Sequence, residues 1–149
     1  MELNVRAVRL TAEMLPEVAA LEAVCFREPW SEKSLELLLG ERGVGFAILL
    51  EGEVAAYGGM MTVLDEGQIT NIAVAPKHRR KGLGREILRA LESYAEENGI
   101  ILLSLEVRAS NGAARGLYSA AGWSEAGIRK NFYRLPAEDA VIMTKALRN

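Results

Sequence analysis

The chain has 149 residues, half of them hydrophobic and 26% charged, with a formal net charge of −2 at pH 7. A chain of this length and composition suits one soluble domain, over residues 1–149, that buries its own core without disulfides or a structural metal. The near-neutral balance excludes a general pull toward nucleic acid or an anionic membrane.

Cys25 is the only cysteine and His78 the only histidine. That leaves no zinc-type ligand spacing and no internal disulfide, which fits a reducing cytoplasm. Met1–Leu10 lacks a signal-peptide core, and no apolar run reaches the roughly 20 residues of a membrane helix. A cytoplasmic protein with no metal, no nucleic-acid partner and no membrane partner is expected. His78, among Lys77, Arg79 and Arg80, reads as an exposed loop residue, and Cys25, at helical spacing from Val18 and Leu21, as a packing residue.

In chain order, Val5–Leu10 predicts a short strand. Met14, Leu15, Val18, Leu21 and Cys25 then predict a helix, with Pro16 confined to its first turn. Ser31, after Pro29-Trp30, is placed to cap a second helix with Glu32 in its first turn. Leu35, Leu38 and Leu39 should line the buried face of that helix, and Gly40 and Gly43 should end it. Phe46–Leu50, Val54–Val63 and Gln68–Val74 predict three successive antiparallel strands. The turns between them fall at Glu51-Gly52-Glu53 and Asp65-Glu66-Gly67.

Ile87, Leu88, Leu91, Tyr94 and Ala95 form the apolar face of a third helix, with Gly99 just past its end. Ile100–Leu105 is apolar except for Ser104 and predicts a strand buried on both faces, as in a parallel pair. Asn111 is placed to cap a fourth helix with the face Ala114, Leu117, Tyr118 and Ala121, closed by Gly122. Trp123–Arg129 and Asp139–Ala146 complete the strands. The order β-α-α-β-β-β-α-β-α-β-β predicts an α/β sandwich whose mixed sheet is antiparallel first and locally parallel around the glycine loop.

The stretch from Val74 to Arg85 should end a strand and open a helix. A helix's first turn offers unpaired N–H groups and partial positive charge, and glycines let an oxyanion approach the backbone. Arg80, Lys81 and Arg85 add charge suited to a phosphate. A Walker A loop is excluded, because no Gly-Lys-Ser/Thr follows. A dinucleotide fingerprint needs a third glycine where Ile87 stands, although Glu106 falls near the spacing of its ribose-binding acid. A nucleic-acid patch lacks neighbouring aromatics. On the loop alone, a structural Gly-x-Gly turn stays open beside the anion site.

The pattern Arg79-x-x-Gly82-x-Gly84, entering a helix, resembles motif A of the GNAT acetyltransferases. The resemblance extends to Pro29-Trp30-Ser31, Asn71-Ile72-Ala73-Val74, Leu105 to Asn111, Leu117-Tyr118, Ala121-Gly122-Trp123, Arg129 to Tyr133 and Glu138 to Met143. Over nearly the whole chain this set is similar to the bacterial RimI-type ribosomal-protein-alanine N-acetyltransferases. The resemblance implies a GNAT fold and an acetyl-CoA co-substrate held where two parallel strands splay apart. Backbone groups of Ile72, Ala73 and Val74 would meet the pantetheine arm and the acetyl carbonyl. Arg80, Lys81, Gly82, Leu83, Gly84 and Arg85 would cradle the pyrophosphate, and Asn111 would touch the cofactor as well as cap its helix. Arg79 fits the motif, with a side chain open to a structural role.

Acetyl transfer to an amine needs a neutral nucleophile, a stabilised oxyanion and a proton for the leaving thiolate. Glu106, at the carboxyl end of the Ile100–Leu105 strand, is the candidate base, and desolvation there should favour that role. On the residues alone, a surface acid paired with Arg108 is an equal reading. Tyr118, where the family places its general acid, is the candidate proton donor; without the resemblance it reads as a core tyrosine. A backbone N–H near Val74 would hold the oxyanion. Trp30, Phe132 and Tyr133, the last two on a late loop, are placed to pack or to shape the acceptor site.

No covalent nucleophile stands out, so direct transfer in a ternary complex is expected. The resemblance implies as acceptor a protein N-terminus, the alanine of a small-subunit ribosomal protein. A broader N-terminal or lysine acetyltransferase and a non-catalytic acetyl-CoA sensor are the alternatives.

Overall fold

The computed structural model describes residues 5–147. Along the chain run β1 (Val8–Arg9), α1 (Leu15–Cys25), α2 (Glu32–Leu35), β2 (Gly43–Leu50), β3 (Glu53–Val63) and β4 (Glu66–Val74). They are followed by α3 (Leu83–Glu97), β5 (Leu102–Arg108), α4 (Gly112–Ala120), β6 (Ser124–Arg134) and β7 (Ala137–Ala146). The element order is the predicted one. The strands form one sheet in the order β1-β2-β3-β4-β5-β7-β6. Every neighbouring pair is antiparallel except β4–β5, which is parallel.

Successive strand residues face opposite sides of a sheet, and both sides are covered here. Ile48 and Ala56 join the cluster under α3, with Ile87, Leu88, Leu91 and Leu103. Their neighbours Ala47 and Tyr57 join the cluster under α1 and α2, with Val18, Leu21, Leu35 and Leu38. Gly58 is what lets α3 press so closely on β3. A Cβ at that position would lie 2.4 Å from Ile87 Cγ2.

One carboxylate lies inside the α1 side. Glu22 is fully buried, on the helical face that also carries Val18 and Leu21. It accepts from Asn71 Nδ2 at 2.9 and 3.1 Å, from the Trp30 N–H at 2.9 Å and from the Tyr57 hydroxyl. Burial and the neighbouring Glu22 push the Tyr57 phenol far above its ordinary value, so it stays a donor. The carboxylate therefore ties α1, the loop after it, β3 and β4 together.

Several expectations need correction. Only Val8 and Arg9 of Val5–Leu10 pair as a strand, opposite Ala47 and Phe46. The second helix is one α-turn continued by a 3-10 turn over Glu36–Leu39, and that tighter winding leaves Leu39 exposed while Leu35 and Leu38 are buried. The strand expected at Ile100–Leu105 spans Leu102–Arg108, because β7 pairs with it along that whole length. Nor is it buried on both faces. Leu103, Leu105 and Val107 are buried, whereas Leu102, Ser104, Glu106 and Arg108 are half-buried.

The Glu22 hub makes a stability prediction. Glu22→Ala removes the acceptor from donors held inside the fold and should cost roughly 3 kcal/mol in urea unfolding, with a smaller loss for Glu22→Gln. Wild-type stability in Glu22→Ala would contradict the role of the hub.

Candidate active site

β4 and β5 pair at Glu66–Leu102, Gly67–Leu103 and Gln68–Ser104, and their ladder stops there. Immediately beyond, β4 takes an extra residue: Met60 faces Ile69 whereas Gly58 faces Ile72. Such a bulge bends and twists its strand. Asn71 lies in it, fixed by Glu22. Past the bulge the two strands border a cavity of about 240 Å³. Asn71 and Ile72 line it from β4, Glu106 and Arg108 from β5, and Asn111 and Tyr118 from the α4 side. A second cavity of about 360 Å³ is lined by Trp30, Met61, Gln68 and Phe132. The two share Glu28, Ile69, Thr70, Asn71, Glu106 and Tyr133 as a common wall.

At the end of β4 the chain makes a 3-10 turn, Pro76–His78, and enters α3 through the glycine loop. Gly82 is the N-cap residue at φ +79°, in the left-handed region, and no side chain caps this helix end. Its first-turn N–H groups are thus left for an anion. Arg80, Lys81 and Arg85 are exposed around it. Arg79 turns back instead: its Nε donates to the Val74 carbonyl at 3.2 Å and its Nη2 meets Cys25 Sγ at 3.6 Å. The structural role left open for Arg79 is the one observed.

The remaining predicted residues divide. Ile72, Glu106, Asn111 and Tyr118 line one cavity. Ala73 turns its side chain into the α1-side core, and the Val74 carbonyl already accepts from Arg79 and, at 3.5 Å, from Cys25 Sγ. Arg80–Arg85 lie beyond the end of β4, outside this cavity's lining. Asn111 caps α4 as expected, its Oδ1 accepting from the Ala114 N–H at 3.1 Å. Cys25 packs against the α1-side core, and burial raises its thiol against the pull of Arg79. His78 is half-buried, not an exposed loop residue, with Nδ1 3.2 Å from Lys81 Nζ.

Glu106 sits within β5 rather than after it, paired with Ile142 of β7. Its partner is not Arg108. Oε1 accepts from Gln68 Nε2 at 2.9 Å, and Oε2 pairs with Arg129 Nε at 2.8 Å. Arg108 turns to the β6–β7 hairpin, donating to the carbonyls of Leu135 and Pro136 and to Glu138, with its guanidinium 4.2 Å from the centre of the Tyr133 ring. Glu28, in the loop after α1, grips the same hairpin by accepting from the N–H groups of Arg134 and Leu135 at 2.8 and 2.9 Å. Those two N–H groups, aided by Arg108, hold its carboxyl below the ordinary range.

Tyr118 is 6% exposed and lies 5.7 Å from Trp123, ring centre to ring centre. Burial, with a contribution from Tyr133, raises its phenol well above the ordinary value. Tyr133 is pushed up to about 12 by burial, against the lowering effect of Arg108. Phe132 and Tyr133 belong to β6, not to a loop. A register shift after Arg129, with Asn131 at φ +53°, turns that part of the strand over the second cavity, beside Trp30. Among the described residues no cluster of His, Cys, Asp and Glu could hold a metal ion, and no helix is long and apolar enough to cross a membrane.

The model of the acetyltransferase (GNAT) family matches residues 15–123. The chain belongs to the GNAT acetyltransferase family. It is 44% identical over 131 residues to the [ribosomal protein bS18]-alanine N-acetyltransferase of Escherichia coli K12, covering 87% of this chain and 88% of that one. It is 41% identical over 141 residues to a putative enzyme of the same name from Bacillus subtilis, covering 93% and 92%. The crystal structure of the Escherichia coli ribosomal-protein-S18-alanine N-acetyltransferase superposes with a TM-score of 0.89 at 39% identity, over 97% of this chain and 95% of that one. The GNAT family uses acetyl-CoA, and the α3 N-terminus, with no side-chain cap, is the kind of helix end that accepts a phosphate.

Sequence reasoning gives no role to Glu22, Glu28, Gln68 or Arg129, although Arg129 opens one stretch of the family resemblance. Glu22 carries a readable signal, a carboxylate on an otherwise apolar helical face. The other three depend on tertiary pairing and carry none.

Two predictions follow from this geometry. A Cβ on Gly84 would lie 3.5 Å from Leu117 Cδ2 and 3.7 Å from Val74 Cγ2, ordinary contacts. Gly84→Ala should therefore melt no lower than wild type, while acetyl-CoA binding by calorimetry weakens roughly tenfold through obstruction of the anion site. Undiminished binding would place the ligand away from Gly84. For Glu28 the folded value is depressed, so its grip on the hairpin is present above its ordinary value of 4.5 and is lost as pH falls through the lowered one. Protection factors of the Arg134 and Leu135 amides should drop in that acidic window, and already at neutral pH in Glu28→Ala.

Proposed function

We propose that this chain transfers the acetyl group of acetyl-CoA to a protein N-terminal α-amine, and that its acceptor is the N-terminal alanine of ribosomal protein bS18, in the cytoplasm. The observation that carries this reading is the meeting of Glu106 and Tyr118 on one cavity, in a chain 44% identical to an enzyme named for that reaction.

In this reading the N-terminus of α3, with Arg80, Lys81, Gly82, Leu83, Gly84 and Arg85, holds the pyrophosphate. Ile72, Ala73 and Val74 present backbone to the pantetheine arm, and Asn111 closes the crevice from the α4 side. The acceptor enters past Trp30, Phe132 and Tyr133, where the second cavity meets the first. The thioester supplies the acetyl group and an activated leaving sulfur.

Glu106 takes the proton of the acceptor's ammonium, directly or through one water, so that the neutral nitrogen attacks. An N-terminal amine, with an ordinary pKa of about 8, asks less of the base than a lysine at about 10.4. Tyr118 gives its hydroxyl proton to the departing thiolate as the C–N bond forms and the C–S bond breaks; the second proton that the nitrogen sheds on becoming an amide restores the phenol, directly or through water, and the proton on Glu106 passes to solvent. Burial disfavours the phenolate, so the hydroxyl is protonated when the sulfur departs.

Glu106→Gln and Tyr118→Phe should each lower kcat by about 100-fold, with acetyl-CoA affinity unchanged by calorimetry. Wild-type turnover in both would remove the catalytic assignment. The raised Tyr118 value also means that its ionisation brings no falling limb to the wild-type rate up to pH about 10, where an ordinary tyrosine begins to lose its proton. A peptide panel scored by intact mass tests the acceptor. Acetylation restricted to an N-terminal alanine supports the reading, and equal rates on internal lysines would sink it.

A further inference from the structure

We propose that Arg129 is a positioning residue for the acetyl-transfer reaction, fixing the Glu106 carboxylate at the junction of the two cavities; this rests on the reading of Glu106 as the base.

Two side chains grip the carboxylate from opposite directions. Gln68 comes from the last residue of β4 that still pairs with β5, and its Nε2 donates to Oε1 at 2.9 Å. Arg129 comes from β6, on the far side of β7, and its Nε meets Oε2 at 2.8 Å. Glu106 faces Ile142 and Arg129 faces Ala140, so the contact reaches diagonally across β7. With each oxygen held from a different strand, rotation about the last side-chain bond of Glu106 is blocked. A carboxylate has about four acceptor positions, so one on each oxygen stays available to an amine or a bridging water.

The position of Arg129 is itself fixed. It is the last β6 residue in register with β7 before the shift that carries Phe132 and Tyr133 over the acceptor side. Its guanidinium lies 6.0 Å from the centre of the Phe132 ring. One residue thus joins the orientation of the base to the wall of the acceptor cavity. The arginine side chain is 58% exposed and that of Glu106 15%. Exposed pairs add little to folding stability, so Arg129 can be replaced without unfolding the protein.

The test is a double-mutant cycle on the full chain, with acetyl-CoA and an alanine-initiated peptide. Arg129→Gln should lower kcat about tenfold through loss of orientation, while the melting temperature and acetyl-CoA affinity stay at wild-type values. Arg129→Lys, which keeps the charge, should recover most of the rate. In the Glu106→Gln background, adding Arg129→Gln should change kcat by less than about twofold, because the two residues act as a unit. A wild-type kcat in Arg129→Gln, or the same tenfold loss repeated in the Glu106→Gln background, overturns the proposal while leaving Glu106 as the base. Full turnover in Glu106→Gln alone overturns the reading of Glu106, and the role of Arg129 with it.

Discussion

The parallel ladder between β4 and β5 ends at Gln68–Ser104, and the site is built in the space that opens past that rung. A continuous ladder would satisfy both strand edges with each other and leave no crevice. The extra residue in β4 between Ile69 and Ile72 prevents this by bending the strand away. A bulge leaves a residue unpaired, and here Asn71 is anchored from behind by the buried Glu22. The same carboxylate accepts from the Trp30 N–H, so the opening between the strands and the placement of Trp30 on the second cavity share one support.

With its β4 side open, β5 draws its support from β7, which pairs with it from Leu102 to Arg108. The alternation of a strand then sorts its residues by task. Leu103, Leu105 and Val107 anchor it in the core, while Glu106 and Arg108 project from the opposite face, and past the end of the ladder both faces reach the crevice. The two crevice residues have separate partners. Glu106 is held by Gln68 and Arg129, whereas Arg108 and Glu28 secure the β6–β7 hairpin that carries Tyr133. The pairing of Glu106 with Arg108 suggested by their nearness in sequence is replaced by contacts across the sheet, a choice that sequence spacing does not reveal.

Much of this fold is legible in the residues because local chemistry decides it. The apolar faces of α3 and α4, the Ser31 and Asn111 caps and the turn at Glu51-Gly52 each follow from short-range rules, and the structure places them as expected; the turn expected at Asp65-Glu66-Gly67 falls at Leu64-Asp65, because Glu66 and Gly67 already pair within β4. Strand limits were less readable, since a partner strand sets them: β5 runs to Arg108 because β7 does. The cavity residues Ile72, Glu106, Asn111 and Tyr118 were reached through the family resemblance as much as through chemistry, for on the residues alone Glu106 had an equal reading as a surface acid. Glu28, Gln68 and Arg129 lay out of reach because their partners stand 38 or more positions away for Gln68 and Glu28, and across β7 for Arg129.

The net charge of −2 hides an uneven distribution of charge. At the α3 end the uncapped helix start and the exposed Arg80, Lys81 and Arg85 favour an anion. At the other end Glu28 and Glu106 stand on the wall shared by the two cavities. Each has a cationic partner, Arg108 for Glu28 and Arg129 for Glu106, so this wall carries paired rather than free charge. Tyr118 lines the same cavity as Glu106, and burial keeps its phenol neutral, so it adds no charge to that wall.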